Sequence, residues 1–221
     1  MDKREVLQRI WEIGIIPVVR AHSADEAIAI VEAIRAGGIP VIEITMTIPG
    51  AVGLMAQVAE RYQEGVLVGA GTVLDGETAR ACILAGARFI ASPALNLGTI
   101  EICRRYSTVV CPGALTPTEV VTAWQAGADV VKVFPCGAVG GANYLRALKA
   151  PLPQIELIPT GGVSVTTAGE FIRAGAFAIG VGADLADTKA IRDGHAEMVT
   201  EAARSYVQVV REARLSALRP H

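Results

Sequence analysis

Along most of the chain, short runs of β-branched and aliphatic residues alternate with longer amphipathic stretches, and the short runs are apolar throughout instead of at every second position. Continuous apolar runs of this length mark parallel strands that are covered by helices on one side and packed on the other. Four of them follow a near-identical ending. Arg35-Ala36-Gly37-Gly38 precedes Val41-Ile42-Glu43-Ile44, and Leu84-Ala85-Gly86-Ala87 precedes Phe89-Ile90-Ala91. Gln125-Ala126-Gly127-Ala128 precedes Val130-Val131-Lys132-Val133, and Arg173-Ala174-Gly175-Ala176 precedes Phe177-Ala178-Ile179. The glycine after each alanine suits the left-handed position just past a helix C-terminus, which turns the chain directly into the next strand. Adding Ile15-Ile16-Pro17-Val18-Val19, Val66-Leu67-Val68, Thr108-Val109-Val110 and Ile155-Glu156-Leu157-Ile158 gives eight strands. They recur roughly every 20 to 27 residues, the repeat of a βα unit.

Eight such units predict an α/β fold of the (β/α)8 TIM-barrel type, one domain over residues 1–221 with no linker dividing it. The rival is a doubly wound open sheet. It is disfavoured because no G-x-G-x-x-G follows the first strand, and because candidate functional residues fall at the ends of many strands instead of one switch point. A helix from Lys3 to Glu12 is expected as an N-terminal cap over the barrel bottom, and a helix from Asp187 to Leu218 as the closing element.

Composition narrows the class. With 221 residues, 52% hydrophobic, the chain can bury a large core, and its formal net charge of −2 gives no footprint for nucleic acid. The first residues, Met1 to Arg9, are charged and then amphipathic, unlike a signal or transit peptide, and no apolar run approaches membrane-spanning length. Cys82, Cys103, Cys111 and Cys136 form no C-x-x-C pair, so a reducing cytoplasm is the expected setting. His22, His195 and His221 are too scattered to supply a metal site.

Two charges stand out within apolar strands. Lys132 lies in Asp129-Val130-Val131-Lys132-Val133-Phe134-Pro135, where desolvation favours the neutral amine, and a neutral lysine attacks carbonyls to give a Schiff base. Glu43 lies in Pro40-Val41-Ile42-Glu43-Ile44-Thr45. Strands two and six of an eight-stranded barrel oppose each other, which predicts Glu43 facing Lys132 across a space wide enough for one small ligand. Plainer readings stay open. Lys132 could snorkel past the strand end, or Glu43 could form a structural ion pair with Lys132 or Arg20, a poor stabilising device once desolvation is counted.

Arg20 closes the first strand and Thr72 the third, both at the rim where barrel active sites form, and both suit a substrate carboxylate. Thr72 is equally readable as a turn or cap hydroxyl. Glycines in Pro159-Thr160-Gly161-Gly162-Val163-Ser164 and Gly180-Val181-Gly182-Ala183 would let backbone N–H groups converge on a phosphate, although plain glycine turns look the same.

Taken in order, Pro17-Val18-Val19-Arg20, Glu43-Ile44-Thr45, Val68-Gly69-Ala70-Gly71-Thr72-Val73, Ser92-Pro93, Cys111-Pro112-Gly113, Lys132-Val133-Phe134-Pro135 and Pro159-Thr160-Gly161-Gly162 resemble the 2-keto-3-deoxy-6-phosphogluconate (KDPG) and 4-hydroxy-2-oxoglutarate (KHG) aldolase family. The resemblance runs from about Ile15 to Asp187. It implies a class I pyruvate aldolase that needs no metal or other cofactor and assembles as a homotrimer. It further implies Lys132 as the Schiff-base lysine, Glu43 as general acid and base, Thr72 and Arg20 on the pyruvyl carboxylate, and Pro93 and Phe134 as pocket walls. Gly161, Gly162, Gly182 and Ala183 would hold phosphate. Two positions depart from the family pattern. Thr47 stands where many relatives carry a substrate-contacting arginine, and Ala183 where many carry a serine. The reaction implied is reversible cleavage of a 2-keto-4-hydroxy acid to pyruvate and an aldehyde, glyceraldehyde 3-phosphate or glyoxylate. The alternatives are a phosphate-binding isomerase or synthase that forms no imine, and a catalytically silent assembly subunit.

Overall fold

Each apolar run becomes a short parallel strand and each amphipathic stretch a helix in the computed structural model, which describes residues 1–217. The order is α1 (Lys3–Ile13), β1 (Ile15–Val19), α2 (Ala24–Ala36), β2 (Val41–Thr45), α3 (Ala51–Tyr62), β3 (Leu67–Gly71), α4 (Gly76–Leu84), β4 (Phe89–Ala91) and α5 (Leu97–Arg105). There follow β5 (Val109–Cys111), β6 (Gly113–Ala114), α6 (Pro117–Ala126), β7 (Val131–Val133), α7 (Gly141–Lys149), β8 (Leu157–Pro159), α8 (Val165–Arg173), β9 (Ile179–Val181), α9 (Thr188–Arg192) and α10 (Ala196–Ala217).

The strands form a curled parallel sheet, with a six-stranded part ordered β5-β4-β3-β2-β1-β9 and a three-stranded part ordered β6-β7-β8. The fifth expected strand is split. Pro112 stands between β5 and β6, and its missing N–H interrupts the ladder there. Its carbonyl still accepts the Lys132 N–H at 2.9 Å, and an isolated parallel bridge pairs Thr160 with Gly180. The remaining strands fall within a few residues of the apolar runs, most of them displaced toward the C-terminal side.

Side chains alternate across the strands. Ile42 and Ile44 of β2, and Val131 and Val133 of β7, join the large cluster formed with the helices. Val41, Leu67, Phe89, Val109 and Ile158 belong to a second cluster together with Val6 and Ile10 of α1. By the same two-residue period Glu43 shares the face of Val41, and Lys132 the face opposite Val131 and Val133. That inner face is fitted around bulky neighbours: a methyl at Gly69 would stand 2.2 Å from the Phe89 ring, and one at Gly71 2.1 Å from Glu43 Oε1.

The Ala-Gly punctuation holds its predicted conformation at Gly86, Gly127 and Gly175, with φ of +101°, +98° and +94°. In the first copy it slips by one residue. Gly37 is right-handed (φ −80°) and Gly38 takes the left-handed turn (φ +96°). Gly37 serves packing instead, because a Cβ there would lie 2.4 Å from Ala203 Cβ and 2.6 Å from the Thr200 carbonyl of α10. The predicted closing helix is likewise broken in two. Asp187 caps α9, and Gly194 (φ +81°) turns the chain before α10 starts. Leu218, its expected end, and His221 lie outside the described residues.

Candidate active site

Lys132 and Glu43 meet in the interior of the curled sheet. Lys132 Nζ donates to Glu43 Oε1 at 3.1 Å and to Oε2 at 3.3 Å, and the two residues are only 5% and 2% exposed. The carboxylate fits because Gly71, on the neighbouring strand, has no side chain to occupy the space. Two charges so enclosed are held by one another, and removing either partner from such a pair costs ~3–5 kcal/mol. Glu43 pairs with Lys132 and not with Arg20.

Arg20, just past β1, is exposed at the C-terminal end of the strands, and its guanidinium packs over the loop after β9: a methyl built on Gly182 would lie 3.2 Å from Nη1. Together with Val18, Phe134, Thr160, Gly161, Gly162, Val163, Gly182, Ala183 and Asp184 it lines a cavity of about 270 Å³. A neighbouring cavity of about 330 Å³ shares Val18, Arg20 and Ala183 and adds, among others, His22, Thr47 and Thr188. The buried pair lines neither cavity. Val18, however, is the register partner of Glu43, so one wall of the first cavity abuts the pair.

Thr47 is exposed, and its hydroxyl bonds Thr45 Oγ1 at 2.7 Å; Thr45, fully buried, also donates to the Val19 carbonyl at 3.0 Å. Thr72 and Pro93 border neither cavity. Thr72 is half-buried at φ +58°, a left-handed conformation that costs a β-branched residue about 1–3 kcal/mol and is found mostly where function requires it. Pro93 is half-buried against Gly113, where a methyl would strike its backbone at 2.2 Å. Phe134 packs its ring over Gly161, which together with Gly162 takes positive φ (+84° and +76°).

Two polar residues of the first cavity, Thr160 and Asp184, were not among the candidate site residues. Thr160 is 4% exposed and its Oγ1 has no hydrogen-bond partner among the described residues, an orphan hydroxyl beside Gly180. Its signal was available, since it continues the inward alternation from Ile158. Asp184, at the end of the glycine loop, accepts the Val165 N–H at 3.2 Å and the Tyr206 hydroxyl. Nothing local in the sequence marks it. The four thiols offer no competing nucleophile: burial pushes Cys82 and Cys136 up to about 11, Cys103 up to about 12 and Cys111 further still. Among the described residues, no group of three or more His, Cys, Asp or Glu is placed to hold a metal ion, and no helix is long and apolar enough to cross a membrane.

Known proteins resemble this chain over most of its length. The 2-dehydro-3-deoxy-6-phosphogalactonate aldolase of Escherichia coli K12 is 34% identical over 207 residues, covering 92% of this chain and 98% of that protein. A KDPG aldolase structure from Legionella pneumophila, with pyruvate captured at low pH as a covalent carbinolamine intermediate, superposes with a TM-score of 0.84 at 26% identity, covering 91% of this chain and 97% of that one. A cube-shaped, highly porous protein cage designed by fusing symmetric oligomeric domains gives 0.84 at 33% identity over 93% of this chain and 74% of its own. The sequence profile described as KDPG and KHG aldolase matches residues 6–202, and with a buried lysine and glutamate at its centre the chain belongs to that family.

Proposed function

We propose that this protein is a class I aldolase that cleaves a 2-keto-4-hydroxy acid reversibly to pyruvate and an aldehyde, with Lys132 as nucleophile and Glu43 as proton carrier. The observation that carries this reading is the enclosed pair, an amine 3.1 Å from a carboxylate in an otherwise apolar interior. Lys132 passes a proton to Glu43 as substrate enters, the neutral amine adds to the C2 ketone, and Glu43 returns the proton to the carbinolamine hydroxyl, which leaves as water to give an iminium with Glu43 again a carboxylate. Glu43 takes the C4 hydroxyl proton as the C3–C4 bond breaks, and that bond's electron pair moves into the iminium, leaving an enamine and the free aldehyde. The proton then returns to C3, and water hydrolyses the iminium to release pyruvate and the amine. Because the pair is closed on itself, substrate must part Glu43 from Nζ as it enters.

Arg20 and Thr72 hold the C1 carboxylate in this scheme, Pro93 and Phe134 wall the pocket, and Thr47 meets substrate at the rim. The distal end of the substrate lies along Gly161, Gly162, Gly182 and Ala183. The sheet is read as one (β/α)8 barrel in which β5 and β6 count as a single strand bent at Pro112; the Lys132–Pro112 and Thr160–Gly180 links support this. Val6 and Ile10 make α1 its N-terminal cap, and the whole chain is one domain. A homotrimer in the cytoplasm, free of metal and cofactor, completes the reading; its support is the family and, for assembly, the oligomeric domains of the designed cage. Borohydride with pyruvate is expected to add one covalent adduct at Lys132, located by peptide mass spectrometry. A Lys132→Met protein that still traps pyruvate or still cleaves substrate refutes the assignment.

A further inference from the structure

The hydroxyls of Thr45 and Thr47, which follow Glu43 in the chain, form a hydrogen-bonded pair with a fixed direction. Thr45 is fully buried at the end of β2, and its Oγ1 lies 3.0 Å from the Val19 carbonyl oxygen and 2.7 Å from Thr47 Oγ1. A carbonyl oxygen only accepts, and a threonine hydroxyl has a single proton. Thr45 therefore donates to Val19, and the contact between the two hydroxyls is made by the Thr47 proton. Thr47 is left with lone pairs alone to offer a ligand.

Thr47 is exposed and borders the cavity of about 330 Å³, which meets the glycine-loop cavity at Val18, Arg20 and Ala183. Among the described residues, the Thr47 side chain makes no hydrogen bond other than that to Thr45. The side chains of Arg20, His22 and Thr188, the other polar groups of this cavity, make none. No donor of the protein's own thus occupies the Thr47 acceptor. An arginine, the residue of the family pattern at this position, only donates, so its hydrogen-bonding polarity is reversed in this chain.

Resting on the aldolase reading, we infer that Thr47 accepts a hydrogen bond from a substrate hydroxyl at C5 or beyond, with Thr45 as the positioning residue that sets its direction. The preferred substrates are then polyhydroxylated 2-keto-3-deoxy sugar acids and not 4-hydroxy-2-oxoglutarate. The pyruvyl half of any 2-keto-4-hydroxy acid offers a carboxylate, a ketone and a methylene, none of which donates, and the C4 hydroxyl gives its proton to Glu43. The donor must come from further along the substrate. In 4-hydroxy-2-oxoglutarate the next carbon is a carboxylate, which has no proton to give. A substrate without that hydroxyl leaves the acceptor unpaired.

The test runs the reaction toward synthesis, from pyruvate and one of two aldehydes: glyceraldehyde, whose C2 hydroxyl becomes the C5 hydroxyl of the product, or 3-hydroxypropanal, which lacks it. That hydroxyl also alters the aldehyde's own reactivity, so the readout is the change between proteins in the ratio of the two kcat/KM values. Thr47→Val is expected to lower the preference for glyceraldehyde about 5-fold, as for one lost hydrogen bond, mainly through KM, and Thr47→Ser to keep it. Thr45→Val frees the Thr47 proton. In that protein 2-O-methylglyceraldehyde, which accepts but does not donate at C2, is expected to gain on glyceraldehyde by a similar factor, and Thr45→Ser to restore the wild-type order. A purely structural role for Thr45 changes all three aldehydes alike. A wild type that traps no pyruvate with borohydride sinks the aldolase reading separately; calorimetry with 3-deoxygluconate and its 3,5-dideoxy analogue, neither of which reacts, then reads the inference. Tighter binding of 3-deoxygluconate that disappears in Thr47→Val supports it, and equal binding of the two by the wild type refutes it. A Thr47→Val protein with the wild-type ratio of aldehydes, or a Thr45→Val protein in which all three shift together, overturns it.

Discussion

Replacing Gly71 by alanine probes the central pair without touching either member. The backbone of Gly71 lies outside the left-handed region, so alanine fits its conformation and the perturbation is steric. The new Cβ would lie 2.1 Å from Glu43 Oε1 and 2.6 Å from its Cγ and Cδ, well inside contact distance along most of the side chain. Glu43 must swing away and give up its bonds of 3.1 and 3.3 Å to Lys132, which leaves a buried amine without its partner. Overpacking costs about 1–3 kcal/mol and parting a buried ion pair about 3–5 kcal/mol, so relief of one by the other places the expected loss at roughly 2–5 kcal/mol. Displacing a reacting group by an ångström lowers kcat/KM by about 100-fold. Urea unfolding at constant m-value measures the first quantity, and a coupled pyruvate assay the second. A double-mutant cycle isolates the mechanism: in a Glu43→Ala background Gly71→Ala is expected to cost under about 1 kcal/mol, since the clash is gone. Gly53, which has open space around its Cβ position in α3, is the control, with Gly53→Ala stabilising by about 0.5–1 kcal/mol. A Gly71→Ala protein with wild-type stability and activity, or with an equal loss in both backgrounds, refutes the steric account.

Thr160→Val removes a hydroxyl that bonds nothing among the described residues, so the thermal midpoint is expected to hold or rise while KM for a hydroxylated substrate increases by about 5-fold, as for one lost hydrogen bond of ~1 kcal/mol; steady-state kinetics beside a melting curve decide it. The buried thiols carry a pH signature. Their folded values of about 11 for Cys82 and Cys136 and about 12 for Cys103 lie above the ordinary 9.0, so the neutral thiols contribute no change below that value. As pH rises from about 9 toward 11 and 12 the unfolded chain loses these protons first, and stability is expected to fall across that window. Urea midpoints from pH 8 to 11 read this fall, and labelling by a thiol reagent at pH 8 is expected to proceed only at the rate of unfolding; rapid labelling of the native protein contradicts it.

The sequence exposed this site through its two misplaced charges. Lys132 and Glu43 are conspicuous because every neighbour on their strands is apolar or a small hydroxyl residue, and the two-residue period then fixes which face they share. Helix ends were readable wherever glycine serves the backbone alone, as at Gly86, Gly127 and Gly175. At Gly37 a tertiary contact decides: the approach of α10, more than 160 residues further along, requires the missing side chain and moves the turn to Gly38. Pro112 was visible as a residue, but its effect on the fifth strand depends on which groups β4 and β7 present to it. The Asp193-Gly194 pair was a legible turn signal between α9 and α10, overridden in the reading by the amphipathic period on both sides. Asp184 could not be assigned a place, because the groups that hold it come from α8 and α10, and no local pattern records their meeting.

The amine and the carboxylate at the centre of this molecule come from positions 89 residues apart, on strands that belong to different parts of the sheet. Neither the segment ending at β4 nor the segment beginning at β5 contains a reactive centre by itself. Turnover is therefore a reporter of completed assembly: if the two segments were expressed as separate polypeptides, imine formation with pyruvate would appear only when they found one another, in proportion to the fraction correctly joined.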